Sequence, residues 1–206
     1  EVPGSQAWHS LWEEARRAAR ESKSGLQFAA IALQGWFQTL LSSSGFETRQ
    51  SIVMLELKRE NANLKESPPG VHIRLMRDSD LPAVAQVDLE AFGGFWHNTE
   101  EALRKALPQC ASATVAEKDF EVIGYQISAQ NQGGAHLARL AVKPVFQGRG
   151  VASALVSGLV LSLGEGMSRL SVNTQSDNAA SLALYKKLGF ASTGERFPVF
   201  VYPGGD

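Results

Sequence analysis

The chain has 206 residues, with 20 Lys and Arg against 21 Asp and Glu, a length that suits one or two globular domains. A hydrophobic fraction of 44% and a charged fraction of 20% exclude wholesale disorder, and the near-zero net charge gives no long-range field to gather nucleic acid or an anionic membrane, so neither is expected as a partner. The single Cys110 leaves no intramolecular disulfide and no cysteine cluster for zinc, so no metal is expected. Short apolar runs and a Glu1-Val-Pro-Gly4 start without a signal-like pattern make a cytoplasmic location the expectation.

The first segment reads as a helix from Trp8 to about Ser22, a strand from Leu26 to Ala32, a helix from Trp36 to Ser43, and a strand-like Ser51–Leu57 after Gly45-Phe46. Lys65-Glu-Ser-Pro-Pro-Gly70 interrupts any regular element and is expected to be a linker, within 63–70. Val71–Arg77 then alternates like a half-buried strand. Asp78-Ser-Asp-Leu-Pro82 opens a helix that carries Val84, Val87 and Leu89, and a shorter helix is expected from Thr99 to Leu107. Three strands follow, Ala113–Glu117, Val122–Ala129 and Ala135–Val142, with turns at Lys118-Asp119 and Asn131–Gly134. A helix over Val151–Leu163, a strand over Leu170–Thr174, a helix over Ala179–Leu188 and two final strands near Ala191–Val201 complete the order. This is a mixed α/β chain whose sheet is antiparallel in its first half.

Lys143-Pro-Val-Phe-Gln-Gly-Arg-Gly150 lies between a strand and a helix. Its two glycines allow a tight turn with inward N–H groups, and the following helix N-terminus adds partial positive charge, so the segment suits an anion such as a diphosphate. Arg149 and Lys143 would supply charge at its rim. An ordinary glycine-rich turn has the same composition. No Gly-Lys-Ser/Thr follows, and the full Gly-x-Gly-x-x-Gly is absent.

Leu140-Ala-Val-x-Pro144, Gln147-Gly-Arg-Gly-Val-Ala152 and Asn178-Ala-Ala-Ser-x-x-Leu-Tyr-Lys-Lys-Leu-Gly-Phe190, in that order and spacing, resemble the GNAT superfamily of acyl-CoA-dependent N-acyltransferases over residues 71–206. The resemblance implies an α/β fold of the acyl-CoA N-acyltransferase type, a central, mostly antiparallel sheet flanked by helices. It also implies acetyl-CoA as co-substrate and an amine acceptor, a small molecule or a peptide. By resemblance, Gln147, Gly148, Arg149, Gly150, Val151 and Ala152 cradle the CoA diphosphate. The backbone of Leu140 and Val142 meets the pantetheine arm, and Tyr185 protonates the departing thiolate, a role a phenol with pKa near ~10 can fill. Asn178 reads equally as a cofactor contact or an N-cap, and Lys186 and Lys187 as phosphate neighbours or solvated lysines.

The base is open between several residues. Related enzymes place a glutamate six residues before the position of Val142, which here is His136, expected on the strand face of Ala138, Leu140 and Val142. His136 reads also as an exposed strand-end residue. Glu90, His97 and Glu100 are alternatives, and Phe92, Phe95 and Trp96 suit either an acceptor pocket or core packing.

Adding 144 to the numbers of the first segment matches Leu11 with Leu155, Leu26 with Leu170, Leu40 with Leu184 and Gly45-Phe46 with Gly189-Phe190. Residues 1–62 thus resemble the second half of another such domain. Gln6 and Trp8 stand where Gly150 and Ala152 leave room, and Leu41 replaces Tyr185, so this copy is expected to be inactive. Docking on the complete domain, or exchange with a second chain in a homodimer, would cover its open edges. A non-catalytic acyl-CoA sensor is the alternative to an acyltransferase.

Overall fold

Apolar residues at helical and at alternating spacing fix the elements of this chain, whose computed structural model describes residues 5–21, 28–131, 134–164 and 168–203. In chain order they are helix α1 (Ser5–Glu21), strand β1 (Ala29–Ile31), α2 (Gly35–Ser43), β2 (Glu47–Lys58), β3 (His72–Leu75), α3 (Leu81–Trp96), α4 (Glu100–Ala106), β4 (Ser112–Lys118), β5 (Glu121–Asn131), β6 (Gly134–Val142), α5 (Val151–Ser162), β7 (Arg169–Gln175), α6 (Ala179–Leu188) and β8 (Ala191–Val201). The anticipated strand start at Leu26 and the helix end at Ser22 lie outside the described residues. Where two final strands were expected, β8 runs unbroken from Ala191 to Val201, with Gly194 at a positive φ of 86° inside it.

Contacts divide the chain into a larger unit, Met54–Asn173 with Ala179–Thr193, and a smaller one, Glu1–Val53 with Thr174–Asn178 and Gly194–Asp206. The division falls inside β2.

In the larger unit the strands follow the order β8-β2-β7-β6-β5-β4-β3. Neighbours from β3 to β6 pair antiparallel, whereas β6 and β7 are parallel. One sheet face packs on α5 and α6 through Leu55, Leu57, Leu137, Leu159, Leu170 and Leu188, all buried. The other packs on α3 and α4 through Leu81, Val84, Val87, Leu103, Tyr125 and Ile127. Val84, Val87 and Asp88 form the inward stripe of α3, at i, i+3 and i+4. Leu89 falls one step round the helix and is 40% exposed. The sequence pattern chose an apolar residue for the core where the fold buries a carboxylate.

The smaller unit holds α1, α2, β1 and the adjoining parts of β2, β7 and β8. There β1 pairs antiparallel with β8 from Ala29↔Val201 to Ile31↔Val199. Its core centres on Trp12, which meets Phe28, Phe46 and Tyr202 with ring centroids 4.8–4.9 Å away.

Two helix ends share one cap. Phe46 N–H donates to Leu41 O and Phe190 N–H to Tyr185 O, each across a left-handed glycine, Gly45 at φ 84° and Gly189 at φ 97°. A Cβ on Gly45 would meet only Tyr202 Cε2 at 3.5 Å, but one on Gly189 would lie 2.3 Å from Asn61 O. Gly45→Ala is therefore expected to cost the left-handed penalty of about 1–2 kcal/mol. Gly189→Ala should cost clearly more, because backbone must also shift; comparing their urea midpoints tests the difference.

Candidate active site

The parallel ladder between β6 and β7 is short. It joins Gly134–Leu137 to Arg169–Val172 and stops there, so β6 has no β7 partner from Ala138 to Val142. Lys143 N–H donates to Ile123 O on β5. Because backbone groups alternate sides along a strand, those of Leu140 and Val142 point the other way, toward the edge that β7 leaves open.

Past Val142 the chain turns through Gly148 at φ 72° and Gly150 at φ 90° into α5. Gln147 Nε2 donates to Val142 O at 2.9 Å and fixes the turn on the strand. No side chain caps α5, so its first N–H groups remain free to meet an anion. A Cβ on Gly148 would find nothing within 4 Å, and one on Gly150 would lie 3.4 Å from Pro68 Cγ. Val151 is buried and Ala152 partly so. Arg149 is exposed, 5.8 Å above the Phe146 ring. Lys143 is less available than the sequence implied, since its Nζ lies 2.5 Å from Glu121 Oε1. The segment fits a CoA diphosphate through backbone amides and Arg149.

Tyr185 lies on α6, 5% exposed, in the core cluster that also holds Leu137, Val172 and Phe190, and its ring centroid is 5.2 Å from that of Phe190. It therefore faces the core between the sheet and α5 and α6. Burial pushes its phenol pKa above the ordinary value near 10, so the ring keeps its proton. Its hydroxyl has no hydrogen-bond partner among the described residues. Asn178, in the smaller unit, directly precedes α6, and its N–H donates to Gln175 O. Lys186 and Lys187 are exposed.

His136 is not on the face expected from alternation. The β5–β6 register runs Ile127↔Arg139 and then Ser128↔Leu137, so Ala138 is an extra, bulged residue. The bulge resets the alternation: Ala135 and Leu137 join Leu140 and Val142 toward α5, while His136 shares the α3 face with Arg139 and Ala141. His136 is half-buried, and burial lowers its pKa from the ordinary imidazole value, which favours the neutral ring. Nδ1 lies 3.0 Å from Ser171 Oγ. The acid and base candidates thus belong to opposite sheet faces.

The other candidates are engaged locally. Glu90 accepts from Gln86, His97 Nδ1 donates to Gly94 O, and Glu100 pairs with Arg104. The side chain of Phe95 lies outside the described residues.

A buried cluster beneath this region escaped the sequence reading. Asp88 is fully buried and accepts from Arg139 Nε and Nη2 at 2.8 Å each, from Tyr125 Oη at 2.5 Å and from Asn98 N–H at 2.5 Å. Arg139 also donates to Trp96 O at 2.6 Å and lies 3.6 Å above the Phe92 ring. Burial and then the bond to Asp88 raise the Tyr125 pKa. Burial opposes the Arg139 charge, but the contacts with Asp88 outweigh it and the net shift is upward. Phe92 and Trp96 are thereby anchors of the segment leading to α4. The only sequence signal for this was a lone Asp in the helix stripe.

A strand opening, a glycine turn and an uncapped helix in this order define an acyl-CoA-binding N-acyltransferase fold. Residues 81–190 match the acetyltransferase (GNAT) family, and the chain belongs to it. It is 30% identical over 191 residues to a mycothiol acetyltransferase of Amycolatopsis mediterranei, covering 79% of this chain and 63% of that protein. The chain spans less than two thirds of the curated relatives it matches. Among solved structures, a GCN5-related N-acetyltransferase from Sphaerobacter thermophilus superposes with TM-score 0.72 at 18% identity, over 98% of this chain and 70% of that one. A tandem GNAT protein from the clavulanic acid biosynthesis pathway gives 0.67 at 16% identity, over 96% and 70%. These two show the fold.

Proposed function

We propose that this chain transfers an acetyl group from acetyl-CoA to a primary amine of a small molecule or peptide. The observation that carries the reading is the opening of β6 from β7 after Leu137 and Val172, with Tyr185 on one sheet face and His136 on the other. In this reaction His136 accepts the proton of the acceptor ammonium, directly or through water. The freed amine attacks the thioester carbonyl, whose oxygen is polarised by backbone N–H at Leu140 or Val142. The tetrahedral intermediate collapses with loss of CoA thiolate; Tyr185 gives that sulfur its proton, and the proton that the nitrogen still carries after attack returns to the Tyr185 oxygen, directly or through water, leaving a neutral amide. Gln147, Gly148, Arg149, Gly150, Val151 and Ala152 hold the diphosphate.

Gly150→Gln tests the cofactor site. The variant needs a left-handed φ and room beside Pro68, so calorimetry is expected to show CoA binding lost; retained affinity would remove the loop from the assignment. Acetyl transfer is then read as free-thiol release over a panel of amines and peptides, with mycothiol chemistry first because of the Amycolatopsis relative's name. CoA binding without turnover on any acceptor would favour the sensor reading.

We also infer that residues 1–62 are a degenerate second half of a related domain. Shifted by 144, Gly35–Ser43 of α2 falls on 179–187 and Glu47–Lys58 of β2 on 191–202, and the two glycine caps coincide. Trp8 occupies the place of Ala152, with its Nε1 donating to Ser44 Oγ at 2.7 Å and its ring edge-on to Phe37, which favours an inactive copy.

A further inference from the structure

The residues behind His136 bear on which of its nitrogens acts. Ser171, directly across on β7, has its Oγ within 3.0 Å of His136 Nδ1, 3.3 Å of Ala135 O and 3.3 Å of Asn131 Nδ2. A serine hydroxyl has one proton to give. Ala135 O only accepts, and the Asn131 amide nitrogen only donates. With that proton on Ala135 O, the one arrangement in which all three contacts are hydrogen bonds at once, both lone pairs of Oγ are left for incoming donors. The Asn131 amide takes one of them, and the other requires a hydrogen on Nδ1.

We propose that Ser171, held by Asn131 and the Ala135 carbonyl, keeps His136 in the Nδ1–H tautomer and leaves Nε2 as the unprotonated nitrogen that accepts the acceptor's proton. Nε2 has no partner among the described residues. Ser171 and Asn131 are positioning residues, acting through the ring rather than on substrate. His136 and Ser171 share a face because they are partners across the ladder, and the Ala138 bulge sets that face opposite to Leu140 and Val142. An isolated neutral histidine exchanges between tautomers, and the hydrogen bond made by one nitrogen decides the other. The inference rests on His136 being the base of the proposed reaction.

Long-range proton–nitrogen correlation spectra of the nitrogen-labelled chain test it without any acceptor. The protein has four histidines, and the spectrum of His136→Gln identifies the signals of interest. Above the ring's pKa, the wild-type protein is expected to show Nδ1 protonated and Nε2 bare. Ser171→Ala should move the ring toward Nε2–H, and Ser171→Thr, which keeps the hydroxyl, should restore the original pattern. A wild-type ring with its proton on Nε2, or a pattern unchanged in Ser171→Ala, would overturn the proposal. Turnover separates the two readings. If the tautomer is as described but His136→Gln keeps full thiol release, the base assignment falls while the role of Ser171 in setting the tautomer stands. If the base reading is right, Ser171→Ala should lower kcat by about 10-fold, less than complete loss of a general base, with the KM for acetyl-CoA unchanged.

Discussion

Tyr185→Phe is expected to lower kcat by about 10²–10⁴-fold, the usual contribution of a positioned proton donor, with CoA affinity and fold nearly unchanged. The separation follows from the environment of the ring. Its core cluster is apolar, with the Phe190 ring 5.2 Å away, and phenylalanine keeps that packing. The hydroxyl has no partner among the described residues, so removing it breaks no internal hydrogen bond. Denaturant midpoints of variant and parent should therefore coincide, while single-turnover thiol release separates them. The pH profile adds a sign. Burial raises the phenol pKa above its ordinary value near 10, so ionisation of Tyr185 should not shut the reaction down as pH climbs toward 10. The acidic limb should reflect His136. Its pKa is lowered by burial, so activity should rise with pH through a midpoint below 6.5. Unchanged turnover in Tyr185→Phe would show that the thiolate leaves unprotonated or takes its proton from water.

What the sequence told of this site, and what it hid, divides along physical lines. Helices α5 and α6 and the glycine turn were legible because their signals are local: apolar spacing, left-handed glycines, a helix start. The span of α6, Ala179–Leu188, matches the expectation residue for residue. The face of His136 was not legible. Alternation assumes one residue per ladder position, and nothing in Ala135-His-Leu-Ala-Arg139 announces that Ala138 has no partner across β5. The same limit hid Asp88. A carboxylate in a helix reads as solvated, and only the fold brings Arg139, from 51 residues away, to its side. Lys143 erred in the opposite sense, since a lysine beside a phosphate loop looks free until Glu121 is found against it.

The Asp88–Arg139 pair makes the largest stability prediction. Asp88→Asn should destabilise the fold by about 3–5 kcal/mol, the cost of leaving one member of a buried ion pair without its counterpart. The carboxylate is fully buried and receives four hydrogen bonds, about the capacity of its two oxygens. An asparagine would remove the charge that holds the guanidinium and turn an NH₂ toward groups that are themselves donors. Tyr125→Phe, which deletes one of the four bonds, should cost less, about 1–2 kcal/mol. Removing the cation as well separates charge from shape. In Asp88→Asn combined with Arg139→Met, no uncompensated charge remains, so much of the loss should return, and the double-mutant cycle gives the coupling. Equilibrium urea unfolding of the four proteins measures it. The segment from Trp96 to Asn98 is held by this pair through Trp96 O and Asn98 N–H, so amide exchange there should accelerate in Asp88→Asn beyond its global destabilisation. A cost below 1 kcal/mol, with no change in exchange at Asn98, would show that water replaces the carboxylate freely and that the cluster does not hold the segment between α3 and α4.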